Sequence, residues 1–246
     1  MNEALPRGGD AALVFGGSRG IGAAIAARLA RDGYRVALTY VSRPDKAGEV
    51  VAAIEAQGGT AMAIRADSAD PDAIRAAVRQ TVERFGPLRV AVVAAGVLRL
   101  GPVEAVSLED LDLTLDVNIR GVFLAVQAAA AQMQNGGRII TIGSNVALRT
   151  GSAGGSVYTM SKAAVAALAK GVALDLAPRG ITVNNIQPGP TETDMTASMA
   201  AQLKEVVPLR RIAQPEEIAA LASYLAGPEA GYMTGASLTI DGGYVL

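Results

Sequence analysis

The chain has 246 residues, half of them hydrophobic and 18% charged, with 22 basic against 23 acidic side chains and a formal net charge of -1. That length suits one α/β domain with a large core, and the even charge offers no basic excess for nucleic acid or an anionic membrane. With no Cys and no His, disulfides, thiolate nucleophiles and a Ser-His-Asp triad are excluded and a zinc site is disfavoured.

The elements alternate in type along the chain. Ala11–Gly16 reads as a buried strand and Gly20–Asp32 as a helix, with Gly33 placed to end it. Arg35–Tyr40 is the second strand, and Pro44–Gln57 a helix closed by Gly58 and Gly59. Thr60–Ala66 is the third strand. Asp70 and Pro71, an N-cap and a first-turn proline, open a helix that runs to Phe85. Arg89–Ala94 is a fourth strand, and Ser107 through Gln132 a long, mostly helical stretch. Arg138–Gly143 is the fifth strand, Gly155–Leu176 a helix stopped by Pro178, and Ile181–Ile186 the sixth strand. Thr191–Val206 is expected to form helices over the site. Pro215–Leu225 is a short helix and Ser237–Ile240 the last strand.

Strands this apolar are buried on both faces, which predicts a parallel sheet covered by helices and joined by right-handed crossovers. The fold class is α/β: one doubly wound domain over 1–246, with a seven-stranded parallel sheet. No apolar run reaches the roughly 20 residues of a membrane span. The segment before the first strand lacks the apolar centre of a signal peptide, so the expected setting is cytoplasmic.

Gly16, Gly20 and Gly22 lie between the first strand and the first helix. Such a loop lets the backbone approach a pyrophosphate, and the helix N-terminus offers it free N–H groups and a positive dipole end. A lone glycine cluster is as readily a turn; the strand-turn-helix context favours a dinucleotide. An NAD site usually carries an acid about 20 residues on to hold the ribose 2′-hydroxyl. Val36–Tyr40 has none; Arg19 lies in the loop instead, and Ser42-Arg43 follows the second strand. Two guanidiniums suit a 2′-phosphate, so the expected cofactor is NADPH, the alternative being two solvated surface arginines.

Tyr158 and Lys162, four apart on one helix, share a face. A nearby ammonium lowers the pKa of a phenol, and such a Tyr is able to protonate a carbonyl oxygen as hydride reaches its carbon. Ser144, at the end of the fifth strand, is placed to hydrogen-bond the same oxygen; its plainer reading is a turn cap.

With these segments in order, together with Asp116–Asn118, Asn184–Gly189 and Gly235–Gly243, the chain resembles the classical short-chain dehydrogenase/reductase family along essentially its whole length. Within that family it is most similar to 3-oxoacyl-carrier-protein reductases and carbonyl reductases. The resemblance implies that Tyr158 is the general acid/base, that Lys162 binds the nicotinamide ribose and tunes Tyr158, and that Ser144 polarises the carbonyl. It implies that Asn118 holds a water serving proton resupply, the alternative being a hydrogen bond at a helix kink. Implied cofactor contacts are Gly16, Ser18, Arg19, Gly20, Ile21, Gly22, Ser42, Arg43, Asp67, Ser68, Ala95, Gly96, Tyr158, Lys162, Pro188, Gly189 and Thr191; Asp67 is equally readable as a loop cap. No metal is implied, and the implied assembly is a homotetramer, with a dimer left open.

The chain departs from the family pattern at Phe15, where Thr is usual, and at Val93 and Ala94, where two Asn are usual. These changes put cofactor affinity and local packing in question. Carrier-protein reductases need a basic surface beside the site. Gln132–Gly137 is not basic, leaving Arg179, Arg210 and Arg211 as candidates. The expected substrate is therefore a small or medium hydrophobic ketone, walled by Val146, Leu148, Met195 and Met199 unless these are plain packing. The rival expectations are a 3-oxoacyl-carrier-protein reductase, a nucleotide-binding regulator without turnover, and a dehydrogenase that uses the same residues in the alcohol-oxidation direction.

Overall fold

A computed structural model describes residues 9–246. The segment judged to lack a signal peptide's apolar centre falls mostly at 1–8, outside the described residues. Seven strands form a single parallel sheet in the order β3-β2-β1-β4-β5-β6-β7. They are β1 (Ala11–Phe15), β2 (Arg35–Tyr40), β3 (Thr60–Arg65), β4 (Leu88–Val93), β5 (Met133–Ile142), β6 (Thr182–Pro188) and β7 (Ser237–Ile240). The helices are α1 (Gly20–Arg31), α2 (Pro44–Ala56), α3 (Pro71–Phe85), α4 (Leu108–Leu115), α5 (Gly121–Gln132), α6 (Ser156–Leu176), α7 (Ala200–Val206) and α8 (Pro215–Ala226).

Strand side chains alternate between two cores. Ala11, Leu13 and Phe15 join residues of α3, α5 and α6 on one face of the sheet. Ala12 and Val14 join Ile25 and Leu29 of α1, Ile54 of α2 and Ile218 of α8 on the other. This is the period-two consequence of a strand buried on both sides. Local signals behave as read: the Asp70 carboxylate accepts the N–H of Asp72 at 2.8 Å and of Ala73 at 3.3 Å, with Pro71 in the first turn of α3.

Three expectations need correction. First, β5 starts at Met133, before the Gly136-Gly137 pair. Met133 pairs with Leu88, and pairing then resumes with Arg138 opposite Val90, so the intervening residues bulge from the ladder. Second, the expected helix from Ser107 is broken: Asp116–Arg120 forms one wide, π-type turn, in which the Gly121 N–H reaches the Asp116 carbonyl. Third, Thr191–Val206 is mostly irregular, with a single 3-10 turn at Ala197–Met199 before the seven-residue α7.

The stretches Leu108–Gln132 and Ser156–Arg179 are long and apolar enough, by length and composition, to cross a membrane. In this fold they are core helices: α5 buries Val122, Ala125, Val126 and Ala129 against the sheet, and α6 buries Val165, Ala169 and Ala173.

Gly121 starts α5 where the chain passes under the loop after β3, and a Cβ there would collide with the Ser68 carbonyl oxygen. The Asp116 carbonyl oxygen would also lie within 2.9 Å, and both carbonyls are backbone groups that cannot swing aside. Gly121→Ala is therefore expected to lower unfolding free energy by about 1–3 kcal/mol, despite the better helix propensity of Ala. Urea denaturation checks this, an unchanged midpoint being the contrary result.

Candidate active site

The site forms at the end of the sheet where the strands finish, between the exits of β1 and β4. The chain leaves β1 toward α1 on one face and β4 toward α4 and α5 on the other, so a crevice opens between them.

The loop Gly16–Arg19 lines the floor. Gly16 has φ 75°, a left-handed conformation, and a Cβ there would come within 2.7 Å of the Ala95 backbone beyond β4. Its N–H donates to Thr39 Oγ1 at 2.9 Å, fastening the loop to β2. A side chain on Gly22 would strike the Gly16 carbonyl oxygen, so only glycine lets α1 start this close to the strand exit. Arg19 is the N-cap of α1 and makes no side-chain cap; no acid sits in the first turn. The first N–H groups of the helix thus point into the crevice with no side-chain acceptor of their own, as an anion requires. Ile21 turns away from the crevice and packs on the α1–α8 core, and Ser18 is half-buried in the loop.

Arg19 and Arg43 are exposed at the β2 side. Arg19 lies 3.8 Å from Asp194, while Arg43 makes a two-pronged pair with Asp45 at 2.6 Å. Ser42 is exposed beside Arg43. Asp67 accepts the Ala69 N–H at 2.9 Å, which is the loop-capping role, and the adjacent Ser68 is buried.

The acid–base group lies across the crevice. Lys162, 5% exposed, donates from Nζ to the Ile142 carbonyl at 3.0 Å and sits 5.7 Å from the centroid of the Tyr158 ring. Ser144 caps the turn after β5 by accepting the Val146 N–H at 3.4 Å, and its hydroxyl is also hydrogen-bonded to the Tyr158 side chain. Both the cap and the carbonyl-facing reading of Ser144 are therefore compatible with its position. Asn118 is fully buried in the wide turn. Its amide closes on both backbone groups of Val97 at 2.9 Å and donates to Ser161 Oγ at 3.1 Å. Gly96 completes the cluster, since a Cβ there would lie 3.4 Å from Asn118 Oδ1 and 3.5 Å from Lys162 Nζ.

Burial sets the proton affinities. It brings the Lys162 ammonium down to about 8. It pushes the Tyr158 phenol above its ordinary range, with the Ser144 hydrogen bond acting in the opposite direction. The expected lowering of the phenol by its lysine is not what the chain itself produces, because desolvation dominates and the ammonium is committed to a β5 carbonyl.

Pro188, Gly189 and Thr191 bring the exit of β6 to the same crevice. The Gly189 N–H donates to Ile240 O at 2.9 Å, and the buried Thr191 hydroxyl donates to Gly189 O at 3.0 Å. Val146 is half-buried and Leu148 exposed on the loop after β5, while Met195 and Met199 lie on the irregular segment opposite. Arg179 belongs elsewhere: it donates to the carbonyls of Ala130 and Met133, below the end of α5 and away from the strand exits. Arg211 is paired with Glu217 at 2.6 Å.

Several contributors escaped the sequence reading. Ser161 donates to the Tyr158 carbonyl at 2.7 Å and ties Asn118 to α6; its i+3 spacing from Tyr158 was a usable signal. Thr39 and Thr193, which touch Gly16 and Gly20, are brought in only by the tertiary fold.

Lys162 yields a test. Its folded value of about 8 lies below the ordinary lysine value near 10.4, so between these pH values the unfolded chain holds the proton and the folded chain releases it. Stability from this group therefore rises with pH across that window, and below it the full cost of the buried charge is felt. The stability of the wild type relative to Lys162→Met should increase by up to about 3 kcal/mol from pH 8 to pH 10.5. Denaturant titrations at both pH values measure it; a constant difference would refute the assignment.

A family model described as "Enoyl-(Acyl carrier protein) reductase" matches residues 16–245. A short-chain dehydrogenase from Burkholderia cenocepacia, solved in complex with NADP, is 47% identical. It superposes with a TM-score of 0.95 over 99% of this chain and 100% of its own. A cyclic-di-GMP-binding biofilm dispersal mediator protein from Escherichia coli is 41% identical over 96% of this chain and 97% of that protein. A 3-oxoacyl-[acyl-carrier-protein] reductase from Staphylococcus aureus is 40% identical over 96% and 98%. With the sheet order, the glycine loop and the Ser144–Tyr158–Lys162 group all in place, the chain belongs to the short-chain dehydrogenase/reductase family of oxidoreductases.

Proposed function

We propose that this protein reduces a small or medium hydrophobic ketone to a secondary alcohol with NADPH, and that it works as a cytoplasmic homotetramer. The observation that carries the reading is the meeting of Ser144, Tyr158 and Lys162 at the crevice floored by the glycine loop.

The residues present fit a dinucleotide phosphate. The uncapped start of α1 and the left-handed Gly16 cradle a pyrophosphate. Arg19 and Arg43, with Ser42 beside them, supply charge for a 2′-phosphate, and β2 ends without the acid that would repel it. The NADP-bound relative supports the same choice. Asp67 and Ser68 would border the adenine end, Ala95 and Gly96 the floor, and Pro188, Gly189 and Thr191 the nicotinamide end.

When bound, NADPH supplies the hydride. Ser144 donates a hydrogen bond to the substrate carbonyl oxygen and holds it toward Tyr158. Tyr158 gives its hydroxyl proton to that oxygen as negative charge develops there. Burial keeps the phenol protonated until then. Lys162, fixed by Ile142 O, keeps N–H groups that would bind the ribose hydroxyls of the cofactor, and its charge would stabilise the phenolate that is left. Asn118, locked to Val97 and Ser161, fixes the wide turn beside Gly96 and Lys162, which is the helix-kink role; proton resupply through a water on Asn118 would need that amide to exchange a partner. Val146, Leu148, Met195 and Met199 favour an uncharged substrate, and methionine adapts to varied shapes.

The carrier-protein reading draws on the S. aureus relative. It is weakened by the position of Arg179, which is bonded to the carbonyls of Ala130 and Met133 away from the strand exits. Of the three candidates this leaves Arg210, bonded to Glu205 O at 2.8 Å, and Arg211, paired with Glu217, as basic residues for a carrier. The regulator reading draws on the E. coli relative and is weakened by the intact acid–base group. Tetramer formation is supported by family membership and by the apolar outer cleft of Phe123, Ala164 and Leu168 between α5 and α6.

Initial rates with NADPH and NADH against a panel of cyclic ketones, α-diketones, β-keto esters and a 3-oxoacyl thioester test the proposal. Turnover with NADPH on uncharged ketones is expected, and Tyr158→Phe should lower kcat by between about a hundred- and ten-thousand-fold. Turnover confined to the thioester would favour the carrier enzyme, and binding without turnover the regulator. Arg43→Ala is expected to reduce the NADPH-to-NADH preference in kcat/KM by about tenfold, the equivalent of one charge-assisted hydrogen bond; an unchanged ratio would remove Arg43 from the site.

A further inference from the structure

The segment Asp241–Leu246, which follows β7, is bonded to both walls of the crevice. The Asp241 carboxylate accepts the Asn145 side-chain amide at 3.3 Å and the N–H groups of Gly243 at 2.9 Å and Val245 at 3.1 Å. Asp241 also packs on Gly189, where a Cβ would come within 2.5 Å of its own. Arg149 donates to the carbonyls of Tyr244 at 3.0 Å and Leu246 at 3.2 Å, and the Tyr244 hydroxyl lies so close to Gly151 that no side chain fits there. On the opposite side, the Leu209 N–H donates to Gly242 O at 3.2 Å, and Gly243 rests against Pro208. One short segment therefore grips the loop after β5 at three points and the base of the irregular segment at two.

The Asn145 contact bears directly on the chemistry. Asn145 is 3% exposed and adjoins Ser144, and the Ser144 hydroxyl is the cap of the turn that Asn145 begins. A carboxylate with three donors is held firmly, because hydrogen bonds to a charged acceptor are stronger than those between neutral groups. We propose that Asp241 is a positioning residue for the reduction: through Asn145 it fixes the Ser144 hydroxyl. Together with residues 242–246 it sets the separation between the Val146–Leu148 wall and the Met195–Met199 wall. This inference rests on the reductase reading given above. Asp241 and Asn145 touch neither substrate nor cofactor; they act through Ser144 and its loop.

The test combines Asn145→Ala, Asp241→Ala and the double variant, with kcat and KM for the best ketone, NADPH affinity by fluorescence titration and amide hydrogen exchange. Asn145→Ala should lower kcat by about tenfold, as a displaced orienting group does, while NADPH affinity stays at the wild-type level. The double variant should be no worse than Asp241→Ala alone, because both remove one contact. Losses that multiply, or wild-type kcat in both single variants, would overturn the proposal. Should Asp241→Ala not fold, Asn145→Ala and Arg149→Ala carry the test: kcat falls in the first, ketone KM rises in the second, and neither change overturns it. A wild type that reduces no ketone would sink the reductase reading instead. Amide exchange then decides whether the segment holds its loop: faster exchange across 145–151 in Asn145→Ala upholds that, and unchanged exchange refutes it.

Discussion

The adjacency of β1 and β4 is the constraint from which the site follows. All seven strands run in parallel, so every connection crosses a face of the sheet, and the right-handed rule fixes which face. Between β1 and β4 the direction of winding reverses. The two exits separate there and a crevice opens between them. Gly16 brings one exit against Ala95 of the other, Gly22 lets α1 begin on that loop, and Gly96 makes room for Asn118 and Lys162. Loops from distant parts of the chain meet there because a parallel sheet places the exits of all its strands at one end, and α6 brings Tyr158 and Lys162 to the same end.

Without histidine, the protein sets its proton affinities by burial. Lys162 and Tyr158 are shifted in opposite senses from their ordinary values, each toward its neutral form. A bound ligand's charge would therefore act on two groups already moved by desolvation. The wide turn at Asp116–Arg120 matters in the same way: it directs Asn118 inward to satisfy Val97 instead of continuing the helix, at the one depth where α6 offers Ser161 as a further acceptor.

The positions where the chain leaves the family pattern have a physical answer. Phe15 pairs with Val93 across β1 and β4, both are almost fully buried, and both belong to the same core. Apolar packing on one face of the sheet replaces polar residues at both positions, and among the described residues no buried side-chain polar atom is left without a partner. The local-packing question raised by Phe15 and Val93 is answered by that pairing.

Sequence periodicity carried the strands, the order of helices and the glycine loop, because each depends on residues a few positions apart. It failed where distant residues decide. The early start of β5 depends on Leu88 finding Met133 across a bulge, and the break before α5 depends on Asn118 finding Val97. The phenol of Tyr158 was misjudged in direction because adjacency to Lys162 is visible in spacing whereas the depth of burial is not. The pairing of Arg43 with Asp45, two residues away at the start of α2, is one that helix spacing rules do not anticipate.

The irregular segment from 192 to 206 contributes no side chain to either hydrophobic core. Its substitutions are thus nearly decoupled from folding energy, whereas the acid–base group is anchored to strands and helices that tolerate little change. Side-chain changes there would alter the surface beside the crevice at small cost to the fold, whereas Ser144, Tyr158 and Lys162 are held by the end of β5 and by α6.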